Sequence, residues 1–464
     1  MSAPIFSVAS IRAIEARFLP DTPLMERAGR AAADLALTLI GDSTDPVLIL
    51  AGPGNNGGDA QVVARHLRAA GRKVLLPTIG EPLPAGPYAL AIDGLFGIGL
   101  TRPIMAPYAD WIATLNTLPF PVLALDVPSG LDADTGQQHG PSVRASHTIT
   151  FIALKPGLLT LDGPDCCGEI HVADLDLPVA EFASDATVLG PDLFAHHLAP
   201  RLRNSHKGSH GSVGILGGAP GMMGAALLAG RAALKLGAGR VYVGLLEPIS
   251  VDAGQPELML RQPGAVTPLA TALAVGPGLG QSNAAADLLR QAIDAPLPLV
   301  IDADGLNLLA AHPTLARGAN RRSAPLILTP HPAEAARLLN TDVATIQANR
   351  LAAARELARR FNASVVLKGC GSIVAHADGR CQINTSGNPG LASAGSGDVL
   401  TGFAVALLAQ GWPADAALAT AVHLHGAAAD ALVDDGVGPV GLTAGELIEP
   451  ARRLLNAWIA DARA

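Results

Sequence analysis

The sequence predicts an α/β protein of two domains, on three observations. Its 464 residues exceed one ordinary core. Short apolar strands ending in Gly, Asp, His or Lys alternate with helical stretches along most of the chain. Between Asp176 and Arg203 that alternation dissolves around Pro178, Pro191 and Pro200. The boundary is accordingly set near Gly190, with domains 1–188 and 189–464.

Hydrophobic residues make up 49% and charged residues 16%, as suits well-buried parallel strands. A formal net charge of −8 argues against a nucleic-acid partner, whose footprint is usually basic. Four cysteines are too few for a disulfide framework, and reduced thiols in a cytoplasmic protein are expected. No basic segment followed by an apolar run opens the chain, so no export signal is expected. Nor is a membrane span, because Met222–Leu246 is broken by Arg231, Lys235 and Arg240.

In the first half, Ile11–Ile40 reads as helix from apolar residues at helical spacing. Val47–Ala51 is a strand, Gly52–Asp59 a Gly-rich loop, Ala60–Ala70 a helix, and Val74–Pro77 the next strand, together a βαβ unit. Tyr88–Asp93, Pro121–Asp126, His147–Ile152 and Glu169–Val172 continue the strands, with a helix over Tyr108–Leu115. In the second half Ser212–Gly218, Arg240–Leu245, Ala272–Gly276, Leu299–Asp302, Leu326–His331 and Ser364–Lys368 read as strands. Met223–Leu236, Asn349–Phe361, Asp398–Ala409 and Ala414–Val433 read as helices. The halves differ in motif order, which points to fusion rather than duplication.

The chemistry of the second half centres on Asn388-Pro-Gly-Leu-Ala-Ser-Ala-Gly395-Ser396-Gly397-Asp398. Small residues opening a helix offer free N–H groups and the positive dipole end to a phosphate. Asp398 would repel phosphate, but it is placed to take a proton from an attacking hydroxyl. The same residues would also serve as an Asp cap after a turn. Lys368-Gly369-Cys370-Gly371-Ser372 offers a cation and N–H groups to a nucleotide. His331-Pro332-Ala333-Glu334 opens a helix, where Glu334 would either hold magnesium through water or complement the helix dipole. Gly276–Gly280 suits close approach of a ligand, and Asp302 and Asp304 would contact substrate or cap a helix.

Taken in order, Lys207–Gly214, Gly276–Gly280, Asp302–Asn307, Leu328–Glu334, Val366–Gly369 and Gly387–Gly402 resemble the ribokinase-like superfamily. Within it they resemble the ADP- or ATP-dependent NAD(P)H-hydrate dehydratases. His331 stands where many sugar kinases of the superfamily carry Asn, which favours the dehydratase branch. The resemblance implies ADP as phosphoryl donor, with Mg2+. It implies Asp398 as base, and nucleotide contacts from Lys368–Ser372, Asn388 and Gly395–Gly397. It implies hydrate contacts from Gly278, His331, Pro332, Ala333, Glu334, Ala335, Ala336, Arg337 and Asp398.

In the first half, Gly54-Asn55-Asn56-Gly57-Gly58-Asp59 follows a strand but lacks the Gly-Lys-Ser/Thr of a Walker loop. Asp93, Asp126 and Ser129 end or follow neighbouring strands, where oxygen ligands would suit a hard cation. Asp93 and Asp126 are equally common turn starters. Gly52–Asp59, Asp93–Leu100, Leu125–Gly136 and Phe151–Leu158 resemble the NAD(P)H-hydrate epimerase domain. That resemblance implies K+ at Asn56, Asp93 and Ser129. It implies hydrate contacts from Asn55–Asp59, from Gly97, Ile98, Gly99, Leu100, Thr101, Arg102 and Pro103, and from Asp126. Asp126 is the acid/base candidate, with Lys155 nearby. Ala60 stands where the family usually has Gly, and its methyl would pack in the helix or tighten the pocket.

The two resemblances imply two three-layer domains, one Rossmann-like and one ribokinase-like. The substrates implied are the hydrates of NADH and NADPH, NADHX and NADPHX, handled by a homo-oligomer. The alternative is a small-molecule kinase of the ribokinase-like superfamily carrying an N-terminal ligand-binding or scaffold domain.

Overall fold

The computed structural model describes residues 3–19 and 21–462. The chain divides into two compact units, Ala3–Thr187 and the residues from Val188 onward.

The N-terminal unit is built on a six-stranded parallel sheet. Its spatial order is Val74–Leu75, Val47–Ala51, Leu90–Gly94, Val122–Leu125, His147–Phe151, Glu169–Ala173. Chain direction across the sheet reverses between Val47–Ala51 and Leu90–Gly94. Ligands bind open α/β sheets in the crevice outside such a reversal. The expected Ile11–Ile40 helix is two helices, Val8–Phe18 and Leu24–Ile40, the second entered through Pro23. A proline N–H is missing and its φ is fixed, so Pro23 suits a helix start and breaks a continuous one. The break lets both helices cover one face of the sheet, with Ile11, Ile14, Ala28, Ala32 and Ala36 buried.

In the C-terminal unit nine strands run in the order Cys381–Asn384, Ile373–Ala375, Ser364–Leu367, Leu326–Leu328, Leu299–Ile301, Ala272–Val275, Ser212–Gly217, Arg240–Leu245, Met259–Arg261. All pair in parallel except the hairpin Ile373–Ala375 and Cys381–Asn384. Here the reversal lies between Ser212–Gly217 and Ala272–Val275, and Gly218 and Ala219 donate from one loop to Pro277 and Gly278 of the other. The helix Ser396–Ala409 is buried from Val399 to its end. It lies so close to Met223–Lys235 that a Cβ on Gly402 would be 2.3 Å from the Ala229 oxygen. Ala414–Asp434 is long and apolar enough to cross a membrane by length and composition, and 72% of its apolar window is buried in the protein.

Candidate active sites

In the N-terminal unit a cavity of about 410 Å³ opens at the reversal point. The helix Asn55–Ala69 starts beneath it with no side-chain cap. A Cβ on Gly57 would lie 1.8 Å from the Gly52 oxygen, so only glycine lets the helix start press on the strand end. Asn55, Asn56, Asp59, Gly97, Ile98, Gly99, Leu100, Asp126 and Lys155 line the cavity. Gly57 and Gly58 lie behind it, and Thr101, Arg102 and Pro103 are exposed outside it. Ala60 is fully buried, its methyl filling the space a Cβ on Gly94 would need. It therefore packs under the strand and leaves the cavity alone.

Asp126 sits at the end of its strand with φ 65°, a left-handed conformation that Asp tolerates better than most residues. Its Oδ1 accepts from the Lys155 ammonium at 2.6 Å, and its Oδ2 accepts from the Ile98 amide at 3.3 Å. Lys155 is fully buried and also donates to Thr150 Oγ1 and the Phe151 carbonyl, which satisfies all three of its protons. Ile152 holds φ 70° between Phe151 and that lysine. Such backbone is costly for a β-branched residue, about 1–3 kcal/mol, and it turns the chain so that Lys155 folds back to Asp126.

Asp59 faces this pair. Burial, then the charges of Asp126 and Glu15, push its carboxyl up to about 8. Glu15 is also raised, by burial and then by Asp126. It was not among the sequence candidates. It reaches the cavity from the first helix, and no motif marks it.

Asp93 is fully buried. Its Oδ1 accepts from Ser129 Oγ at 2.7 Å and the Leu95 amide at 3.2 Å, and its Oδ2 accepts from the Ser129 amide at 2.8 Å. Burial pushes it up to about 6, against those three bonds. Asn56 is buried beside them, with both amide atoms lacking a partner among the described residues. An orphaned buried carbonyl, a carboxylate and a hydroxyl fit a hard monovalent cation.

In the C-terminal unit the strand ends bring Asp302, Glu334, Lys368 and Asp398 together. Asp302 Oδ1 accepts from Lys368 Nζ at 3.1 Å, and its Oδ2 accepts from Thr401 Oγ1 at 2.8 Å. Gly395 takes φ 89° as the cap of the long helix and has no side chain to cap it. The Ser396 amide bonds the Ser393 carbonyl at 3.4 Å, and the Gly397 and Asp398 N–H groups beyond it are the ones offered to an anion. A Cβ on Gly397 would stand 3.3 Å from Lys368 Nζ and 3.8 Å from Asp302 Oδ2, so this helix mouth faces the ion pair directly.

Three carboxylates around one ammonium leave negative charge in excess. Burial, then Asp302, push Asp398 up to about 7 against the pull of Lys368. Burial pushes Glu334 up to about 7, again against Lys368. Burial works against the Lys368 charge, yet Asp302, Glu334 and Asp398 together hold its pKa above the ordinary lysine value. Such an excess fits a divalent cation.

His331 caps the helix Pro332–Leu339 through Nδ1, and Glu334 Oε2 accepts from the His331 amide at 2.8 Å. Ala335 and Ala336 are 0% and 4% exposed and face the packing rather than the site. Arg337 reaches Asn307 Oδ1 at 2.9 Å. Asn388 spends both ends of its amide internally, donating to Asp430 and accepting from Gly390, so it shapes its loop. Ser372 Oγ bonds both ends of Gly369.

Sequence reasoning passed over Arg350. It is 4% exposed and reaches the carbonyls of Leu367, Lys368 and Gly371 at 3.3–3.4 Å, holding the 368–372 loop. Thr401, Asp430 and His425 were passed over too. Burial lowers the His425 pKa to about 4, and its Nε2 lies 3.0 Å from the Ser396 carbonyl, to which the neutral ring donates.

Residues 213–451 match the family model described as NAD(P)H-hydrate dehydratase. Residues 21–86 and 79–157 match the one described as YjeF-related protein N-terminus. The bifunctional NAD(P)H-hydrate repair enzyme of Leishmania braziliensis is 39% identical, over 94% of this chain and 90% of its own. That of Escherichia coli is 38% identical over 94% and 90%. Among solved structures, the Bacillus subtilis ADP/ATP-dependent NAD(P)H-hydrate dehydratase co-crystallised with ATP/Mg2+ is 30% identical, with a TM-score of 0.51. It covers 58% of this chain and 98% of its own. A ribokinase-like protein of Enterococcus faecalis gives 25% identity and a TM-score of 0.52, over 60% and 98%. With both halves matched and relatives alike along nearly its whole length, the chain belongs to the family of bifunctional NAD(P)H-hydrate repair enzymes.

Proposed function

We propose that the C-terminal site dehydrates the S epimer of hydrated NADH or NADPH at the expense of ADP, and that the N-terminal site interconverts the R and S epimers. The observation that carries the first assignment is Asp398, with its pKa pushed up to about 7 at an open helix mouth beside Lys368. A base works best with a pKa near the working pH.

In this reading Asp398 takes the proton of the substrate hydroxyl as its oxygen attacks the β-phosphorus of ADP. AMP leaves, with the amides of Gly395–Gly397 facing the transferring group. Phosphate is a far better leaving group than hydroxide. The ring nitrogen lone pair expels it, and loss of a proton from the adjacent ring carbon restores the double bond. Lys368, held by Asp302, keeps its charge against the phosphates. Mg2+, held through Glu334, would offset phosphate charge when bound.

At the N-terminal site Asp59 is proposed to carry a proton to the hydroxyl, with water leaving and returning on the other face. Asp126, positioned by Lys155, accepts the proton that the returning water gives up. K+ at Asn56, Asp93 and Ser129 would fix the start of the helix that carries Asp59.

The test combines purified protein, both epimers, ADP or ATP, and magnesium, and follows reduced-nicotinamide absorbance. Recovery with release of inorganic phosphate is expected. A stable phosphate ester without recovery would instead favour an ordinary kinase, and no turnover with either nucleotide would sink the assignment.

A further inference from the structure

Three side chains converge at the end of the N-terminal sheet remote from its cavity. His147 opens the strand His147–Phe151, while Glu169 and His171 lie on the edge strand Glu169–Ala173. The strands are parallel, with His147 opposite Glu169. Residues two apart on a strand share a face, so Glu169 and His171 point the same way and the register sets His147 beside them.

His147 Nδ1 and His171 Nε2 are 3.3 Å apart. Glu169 Oε2 is 3.7 Å from His147 Nδ1, and its Oε1 is 3.8 Å from His171 Nε2. In a tetrahedral zinc site with bonds of about 2.0–2.2 Å, ligand atoms stand about 3.3–3.6 Å apart. The imidazole pair has that spacing. Each carboxylate oxygen is a few tenths of an ångström wide of it from its own histidine, one atom from each of the three residues lies within 4.8 Å of the others, and the Glu169 side chain, 68% exposed, is free to swing in. The rings are tilted by 36° with centroids 5.5 Å apart, so they are not stacked face to face. The histidine side chains are 22% and 29% exposed, so packing holds the rings while leaving an edge open.

We propose that His147, Glu169 and His171 bind one divalent cation of the zinc class, with water in the fourth position. Two imidazoles and one carboxylate suit zinc, whereas magnesium and calcium take oxygen ligands. The site stands apart from the proton-exchanging groups of the cavity. The Phe151 carbonyl that holds Lys155 lies four residues further along the strand, about 13 Å at the usual rise per residue. A bound ion would clip the start of the edge strand to its one sheet neighbour, at the opposite end from the turn that carries Leu175 into the cavity wall.

The test titrates chelator-stripped full-length protein with Zn2+ and, separately, with Co2+ as an optical probe. His171→Asn is expected to lose one equivalent of bound zinc and the Co2+ d–d band. Glu169→Gln changes an exposed side chain, so folding is not at issue, and it should weaken binding at least tenfold, as loss of metal-supporting groups does. Zinc should raise the melting temperature of the wild type and not of His171→Asn. Equal zinc stoichiometry and affinity in wild type and Glu169→Gln would overturn the proposal, as would no zinc uptake by the wild type at submillimolar free metal.

Discussion

Asp398→Asn tests the base and the electrostatics of its site together. The carboxyl is pushed from 3.8 to about 7, chiefly by burial. At about 1.4 kcal/mol per unit, that bounds the cost of ionising it in the native domain at about 4 kcal/mol. Water at the helix mouth screens part of this, so about 2–3 kcal/mol is expected. The sign follows from linkage. A carboxyl with a raised native pKa contributes stability that is fully present below about pH 3.8 and is lost as pH rises through about 7. Asparagine keeps the shape and never ionises. The variant should therefore gain about 2–3 kcal/mol at pH 8, with the gain shrinking as pH is lowered toward 4. Urea titration of the C-terminal transition over that range measures it. Dehydration should fall by about 10²–10⁴ while epimer interconversion persists. Equal stability of variant and wild type at pH 8 would refute the strained carboxylate. A gain independent of pH would show that something other than charge was relieved. Retained dehydration would remove Asp398 as the base.

In the wild type, kcat/KM for dehydration should fall about tenfold per pH unit below about 7, since the reactive form of Asp398 is the ionised one; a flat profile from pH 5 to 8 contradicts this. Lys155→Met strands a carboxylate and two other acceptors, and should destabilise the N-terminal domain by about 3 kcal/mol in denaturant titration, with loss of R-epimer turnover. Arg350→Ala frees three carbonyls behind the 368–372 loop, so KM for ADP should rise several-fold with kcat little changed. Gly97→Ala places a methyl 3.0 Å from Asp126 Oδ2; R-epimer turnover should drop about 100-fold through misplacement, with the melting curve unchanged.

Much of the fold was legible because parallel strands buried on both faces write near-continuous apolar runs. The helix Tyr108–Leu115 matches its sequence limits. The joined helix Ile11–Ile40 failed because apolar spacing resumes across the break, which the sequence marks with Pro20 and Pro23. Asn56, Asp93 and Ser129 could be read as neighbours, since each stands in or just after the end of a strand of one sheet and strand ends share an edge. Glu15 was not, because its helix precedes the sheet and nothing local ties it to Asp126. Arg350 had a signal that went unused. It falls on the helical ridge of Ala353, Ala354, Leu357 and Phe361, all buried, whereas Arg359 on the same helix has a side chain 73% exposed. A charged residue on an apolar ridge must find acceptors, and here they are backbone carbonyls.

What sequence spacing leaves unwritten is the balance of charge. Asp302, Glu334, Lys368 and Asp398 come from four separate strand ends or helix starts, and each alone has a structural use as cap or ion-pair partner. Their meeting raises Asp398 toward neutrality, chiefly through burial and then through Asp302, whose ion pair occupies the single ammonium. The N-terminal site solves the same problem in reverse. There Lys155 is bonded to Asp126, and it is Asp59 that burial and its acidic neighbours leave protonated. One lysine committed to one aspartate, with a second carboxyl outside that pair, gives each domain a carboxyl raised toward neutral pH, which the proposed mechanism uses as a base in one and an acid in the other.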